Sequence, residues 1–144
     1  MGTVSRNFSY SEFEASDTAK RLGIVNAITA VEVREAVREL VLTVLQPLRD
    51  DWGLPLHVNS GYRCPALNKA VGGVATSQHV KGEAADIKAD NPITLAQLAY
   101  DMHLPYDQMI IYPTFVHFSH KKGGPQRGNI LYNKSYKGRH VSTK

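Results

Sequence analysis

Between Ser77 and Asp86 the chain reads Ser-Gln-His-Val-Lys-Gly-Glu-Ala-Ala-Asp. This stretch sets an imidazole and a carboxylate on either side of a glycine turn. Two alanines before the carboxylate are small enough to let backbones approach closely. Ala84 to Ala89 reads as a strand, so Asp86 falls beside Ala84, Ala85 and Ile87, where an unpaired carboxylate is costly to bury. Any fold built on this segment must bring a partner to Asp86. Further along, Phe115-Val116-His117-Phe118-Ser119 offers a second imidazole inside an apolar, strand-like run. Two histidines and one aspartate make the three-ligand set that catalytic zinc uses, with the fourth position left for water. For either histidine alone, a hydrogen-bonded core residue is the better reading; the ordered set reverses that preference.

The remaining elements can be placed around this block. Ser9-x-x-Glu12 and Ser11-x-x-Glu14 read as capping boxes opening a short helix. Thr29-Ala30-Val31-Glu32 opens a longer one. Its apolar face is Val33, Ala36, Val37, Leu40, Val41, Val44, Leu45 and Leu48, spaced three or four residues apart, and it serves to build core. Gly53 stops this helix, and Pro47 predicts a kink or an early end near Gln46. Leu56 to Ser60 alternates like a strand. Pro65 to Val71 reads as a short helix started by proline, and Gly72-Gly73 breaks it into a loop. Thr94 to Met102 reads as a helix. Gln108 to Tyr112 and Phe115 to Ser119 read as a hairpin joined through Pro113-Thr114. The pattern predicts an α+β domain, an antiparallel sheet with helices packed to one side.

The 144 residues suffice for one domain with a real core. No apolar run approaches the ~20 residues of a membrane helix, so no transmembrane segment is expected. Met1 to Asn7 lack the apolar core of a signal peptide, which predicts a chain that is cytoplasmic as synthesised. The single cysteine, Cys64, excludes an internal disulfide. Between Arg63 and Pro65 it reads as a packing residue rather than a metal ligand.

Net charge is +4, and it is uneven: no acidic residue follows Asp107, while Lys121, Lys122, Arg127, Lys134, Lys137, Arg139 and Lys144 do. Residues 1–120 therefore read as the main domain. Residues 121–144 read as a basic tail, part of the same domain or partly disordered. Such a tail suits an anionic polymer, and its bland alternative is a solvated terminus. With only Tyr132 and Tyr136 as stacking residues in the tail, no specific nucleic acid is expected. The chain is read as a monomer.

From about Asn7 to Ser119 the sequence resembles the zinc D-alanyl-D-alanine carboxypeptidase family, which includes phage endolysins and belongs to the hedgehog-like metallopeptidases. The resemblance is carried by Ser60-Gly61-Tyr62-Arg63-Cys64-Pro65 with Asn68, by the Ser77 to Asp86 block, and by Asp107-Gln108-Met109-Ile110 leading to His117. It implies a hedgehog/DD-peptidase-like fold and Zn2+ held by His79, Asp86 and His117. It implies hydrolysis of amide bonds in peptidoglycan stem peptides, by a carboxypeptidase or an endolysin-type endopeptidase that reaches the cell wall after release. It also implies that Arg63 grips a substrate carboxylate or carbonyl by a bidentate contact and that Ser77 hydrogen-bonds substrate. A structural ion pair for Arg63 and a loop cap for Ser77 remain the alternatives. Tyr62 and Asn68 read as structural.

That family usually places an acid a few positions before its last zinc histidine, as general base. Here Gln108 to Thr114 holds no carboxylate, and the matching position is Tyr112. An unperturbed phenol titrates near ~10 and is a poor base at neutral pH. His120 and Glu83 are the candidate substitutes. His120 has a suitable unperturbed pKa near ~6.5, although strand alternation sets it on the opposite face from His117. Glu83 lies inside the metal motif. The competing reading is a non-catalytic, zinc-containing module that binds cell-wall peptides, and the missing acid favours it.

Overall fold

The computed structural model describes residues 2–143. A two-stranded ribbon, β1 (Thr3–Ser5) and β2 (Phe8–Ser9), leads into α1 (Tyr10–Glu14). The predicted capping box starts α1: the Glu12 carboxylate accepts from the Ser9 backbone N–H at 2.7 Å. A second short helix, α2 (Asp17–Leu22), follows, with the Ser16 hydroxyl accepting from the Ala19 N–H.

The long apolar-faced helix does not end at its proline. It runs as α3 (Val31–Leu40), widens into a π turn (Val41–Leu45), and continues as α4 (Gln46–Trp52). In the π turn the Gln46 N–H reaches back five residues to the Val41 carbonyl. Pro47 has no N–H to give, and its ring crowds the carbonyl one turn back. The one-residue widening just before it absorbs that conflict without breaking the rod.

The sheet has five strands in the order β3-β4-β6-β5-β7: β3 (His57–Ser60), β4 (Ala84–Lys88), β6 (Phe115–Ser119), β5 (Gln108–Ile111) and β7 (Asn129–Tyr132). Between β3 and β4 lies α5 (Pro65–Ala70), and between β4 and β5 lies α6 (Pro92–Asp101). The α+β architecture matches the expectation from sequence. The sheet is mixed rather than antiparallel throughout, because β7 runs parallel to β5.

Register separates the two faces. Val58, Ile87, Val116 and Ile111 lie across one row, and Ala85, Phe118 and Met109 across the next. All are buried in one core with Val37, Leu40, Val41, Val44, Leu45 and Leu48 of the helical rod and with Leu95, Ala96 and Ala99 of α6. Side chains one position along each strand point the other way. That second face carries Asp86, paired across the ladder with His117, which is paired in turn with Ile110.

Residues 121–143 pack onto this sheet and its helices. Beyond β7, the Tyr132 ring stacks on His140 and its hydroxyl accepts from the Val141 N–H, while Val141 is buried. Gln97 of α6 exchanges two hydrogen bonds with the Ser142 backbone.

Candidate metal centre

His79, Asp86 and His117 come from three segments and converge. Each offers one ligand atom, and the three atoms lie within 4.8 Å of one another. Asp86 and His117 meet because β4 and β6 pair them directly. His79 is brought over by the turn that ends at Gly82. There φ is +76°, and an added Cβ would stand 2.7 Å from the Val33 carbonyl oxygen, so only glycine fits. The turn is closed by hydrogen bonds from Gly82 N to the His79 carbonyl and from Glu83 N to the Gln78 carbonyl.

The donor atoms suit a divalent ion. His79 Nε2 lies 3.4 Å from Asp86 Oδ1, and His117 Nδ1 lies 2.8 Å from the same oxygen. A tetrahedral zinc with bonds near 2.0–2.1 Å sets its ligands ~3.3 Å apart, and these two separations bracket that spacing. His79 Nδ1 donates to the Gly61 carbonyl at 2.7 Å, which orients the ring and turns Nε2 toward Asp86. Only glycine fits at position 61, because an added Cβ would fall 2.7 Å from the Phe13 Cα. Burial alone raises the Asp86 carboxyl pKa, but hydrogen bonds from His117 and His79 outweigh it and hold the group well below the usual carboxylate range. The chain thus keeps an ionised carboxylate between two imidazoles in a nearly closed site.

Arg63 borders this set. Its Nη2 is 3.7 Å from Asp86 Oδ2, its Nε donates to Ser60 Oγ at 3.2 Å, and its Nη1 reaches Asn68 Oδ1 at 3.4 Å. The backbone joins in: Arg63 N–H donates to the His79 carbonyl. Asn68, nearly fully buried, also holds the Gly72-Gly73 loop through the Val74 carbonyl. Ser77 caps the loop, its oxygen accepting from the His79 N–H at 3.2 Å. Its own hydroxyl proton remains available to donate. Cys64 is the N-cap of α5, with its N–H on Asn26 Oδ1, and takes no part in the ligand group.

Neither candidate base is brought to the ligand set, and both expectations need correcting. His120 follows β6 and faces the helical side, as alternation requires. Its Nδ1 donates to the Pro105 carbonyl at 2.7 Å, and its Nε2 bonds Glu39 Oε1 at 2.9 Å. Both ring nitrogens are committed, and the side chain is buried. Glu83 is likewise buried. Its Oε2 accepts from the Lys122 N–H at 3.0 Å, and its Oε1 faces Gln78 Nε2 at 3.4 Å. Three residues along a strand separate Glu83 from Asp86 and His120 from His117, which is ~10 Å. The two residues instead pin the loop after β6 to the start of β4, where His120 N–H also donates to the Glu83 carbonyl.

Sequence reasoning missed Gln78 and Arg127. Gln78 bridges Glu83 to Asp107, and Arg127 forks onto the Asp107 carboxylate with contacts of 2.7 to 3.2 Å. These bonds, the Arg127 ones foremost, hold the Asp107 pKa down at about 2. Gln78 could have been found from its place beside His79. Arg127 carried no local signal. Tyr112 was noticed only as a poor base, yet it sits on the ligand face and stacks on Phe115 with centroids 4.2 Å apart.

The chain matches the family described as Peptidase M15 over residues 6–119. It is 35% identical over 96 residues to a protein of Streptomyces albus G named zinc D-Ala-D-Ala carboxypeptidase. The aligned region is 65% of this chain and 36% of that protein, so the chain spans only about a third of the length of the curated relative.

Proposed function

Because the chain belongs to the peptidase M15 family, we propose that it is a zinc-dependent peptidase that hydrolyses amide bonds in peptidoglycan stem peptides, next to a D-amino acid. One observation carries the reading: a buried His-Asp-His donor set with an arginine at its edge. The curated relative supports the metal and the substrate class. We further propose an endolysin-type role in cell-wall degradation, with the chain acting as a monomer after release from the cell that makes it. Among the described residues no helix is long and apolar enough to cross a membrane.

His79, Asp86 and His117 would hold the zinc. Bound there, zinc supplies a Lewis acid for the scissile carbonyl and a water acidified to a pKa near ~7. The rest falls to the chain. Arg63, held by Ser60 and Asn68, turns a guanidinium edge toward the site and suits the carboxylate of a peptide end. Ser77, with the His79 N–H on its oxygen, has its hydroxyl proton free to donate to substrate. Asp86 stays ionised and so keeps its charge for the ion rather than for proton transfer.

The test is digestion of purified peptidoglycan and of a synthetic stem peptide by zinc-loaded protein, with products weighed by mass spectrometry. Loss of a terminal D-alanine or scission within the stem supports the reading. The second reading, a wall-peptide-binding module, is favoured by one observation: the two carboxyl and imidazole candidates for a base are both committed elsewhere. Tight binding of the stem peptide without any turnover would select it.

A further inference from the structure

We propose that Tyr112 is a catalytic residue whose phenol donates a hydrogen bond to the scissile carbonyl oxygen, from the side of the site opposite Arg63. This rests on the peptidase reading above.

Topology puts the two donors on either side of the ligands. Arg63 follows β3 on one flank of the β4–β6 pair, and Tyr112 follows β5 on the other. The Tyr112 N–H donates to the Phe115 carbonyl at 3.0 Å, which extends the β5–β6 ladder by one pair. In that register the Tyr112 side chain falls on the face of Ile110 and His117. Its ring stacks on Phe115 at an interplanar angle of 13°, so the side chain is held before any substrate arrives. Burial raises the phenol pKa above its ordinary value, Asp86 adds to the rise and Arg63 opposes it, so both charges act on this side chain. Among the described residues, His120 and Glu83 have spent their hydrogen-bonding capacity on other partners, whereas the Tyr112 phenol has no hydrogen bond to the protein. A half-buried phenol without a hydrogen-bond partner, on the sheet face that carries Asp86 and His117, calls for an acceptor.

The acceptor that gains most is the carbonyl oxygen as negative charge builds on it, because a fixed donor there costs no reorganisation. Hydrolysis adds water across the amide: an O–C bond forms, the C–N bond breaks, and the proton lost by water ends on the leaving amine. Tyr112 keeps its own proton throughout.

Tyr112→Phe tests this, since it keeps the ring and its stack on Phe115 and removes only the hydroxyl. We expect zinc content and melting temperature to match the intact protein. We expect kcat on a stem peptide to fall on the order of 100-fold while KM stays nearly constant. A phosphinate analogue of the scissile dipeptide, titrated calorimetrically, should bind Tyr112→Phe weaker by a similar factor, while free D-alanine should bind both proteins alike. Unchanged kcat and unchanged analogue affinity overturn the proposal and leave the peptidase reading standing. A loss confined to KM, or a loss of zinc, also overturns it, by making Tyr112 a binding wall or a structural residue. Absence of turnover by the intact, zinc-loaded protein overturns both readings together.

Discussion

At Asp86 two effects of opposite sign meet. Burial disfavours the carboxylate, and hydrogen bonds from His117 and His79 favour it more strongly. The charge is therefore kept for a cation rather than neutralised by a proton. Asp86→Asn keeps the shape and removes the charge, and it should weaken zinc binding on the order of 100-fold or more in competition with a chelator, with the fold intact. His120 makes the opposite case. Locked between Glu39 and the Pro105 carbonyl, it is expected to matter for stability and little for chemistry. His120→Ala should cost about 1–2 kcal/mol in denaturant unfolding, yet bind zinc normally and retain turnover within a few-fold. The convergence of His79, Asp86 and His117 was legible in the sequence because His79, Gly82 and Asp86 sit in one local block, and because burying Asp86 demanded a partner. The misplacement of His120 and Glu83 as bases has a physical reason too. Sequence distance from a ligand is short for both, but a three-residue step along a strand crosses to the other face, and parity outweighs proximity.

The elements that position these residues depend on a few backbone decisions. Gly82 is the sharpest of them. Gly82→Ala must adopt a left-handed conformation, which costs about 1–2 kcal/mol, and must also push Val33 away. We expect a lowered melting temperature together with weaker zinc binding, because the same turn delivers His79. The β5–β7 edge makes a different prediction. Asp107 titrates at about 2 in the folded chain against an ordinary 3.8. Its contribution to stability is therefore complete above about pH 4 and is lost as pH falls toward 2. Asp107→Asn should be less stable than the intact protein at pH 5 and should lack this part of the acid limb, as read from unfolding midpoints between pH 5 and 2. The Pro113-Thr114 hairpin was legible because both strands and the turn are adjacent in sequence. The β5–β7 pairing was not: β7 is four residues long, it pairs in parallel, and its anchor is an Arg127 fork that no local pattern marks. Pro47 announced a disturbance in the helix. That a π turn would absorb it depends on the buried face carried by Val41, Val44 and Leu45 on both sides of the core contact.

Across the whole molecule, the sheet divides labour between its faces: one is sealed by the helical rod and α6, and the other presents the ligands. The basic C-terminal segment belongs to this arrangement, since it supplies the last strand, the Asp107 partner and a buried Val141. Truncation after Lys122 should therefore lower the melting temperature and damage hydrolysis of a short soluble peptide as well as of intact walls. Damage limited to intact walls would show instead that the segment is a separable wall-binding tail. The account as a whole stands on the chemistry at His79, Asp86 and His117, and one measurement reaches it most directly. Zinc-loaded protein and His117→Ala are incubated with a synthetic peptidoglycan stem pentapeptide, and the products are weighed by mass spectrometry. The account predicts cleavage beside a D-amino acid by the intact protein and a loss of both zinc and cleavage in His117→Ala. An intact, zinc-loaded protein that leaves the peptide whole, or a His117→Ala variant that cleaves it equally well, would contradict it.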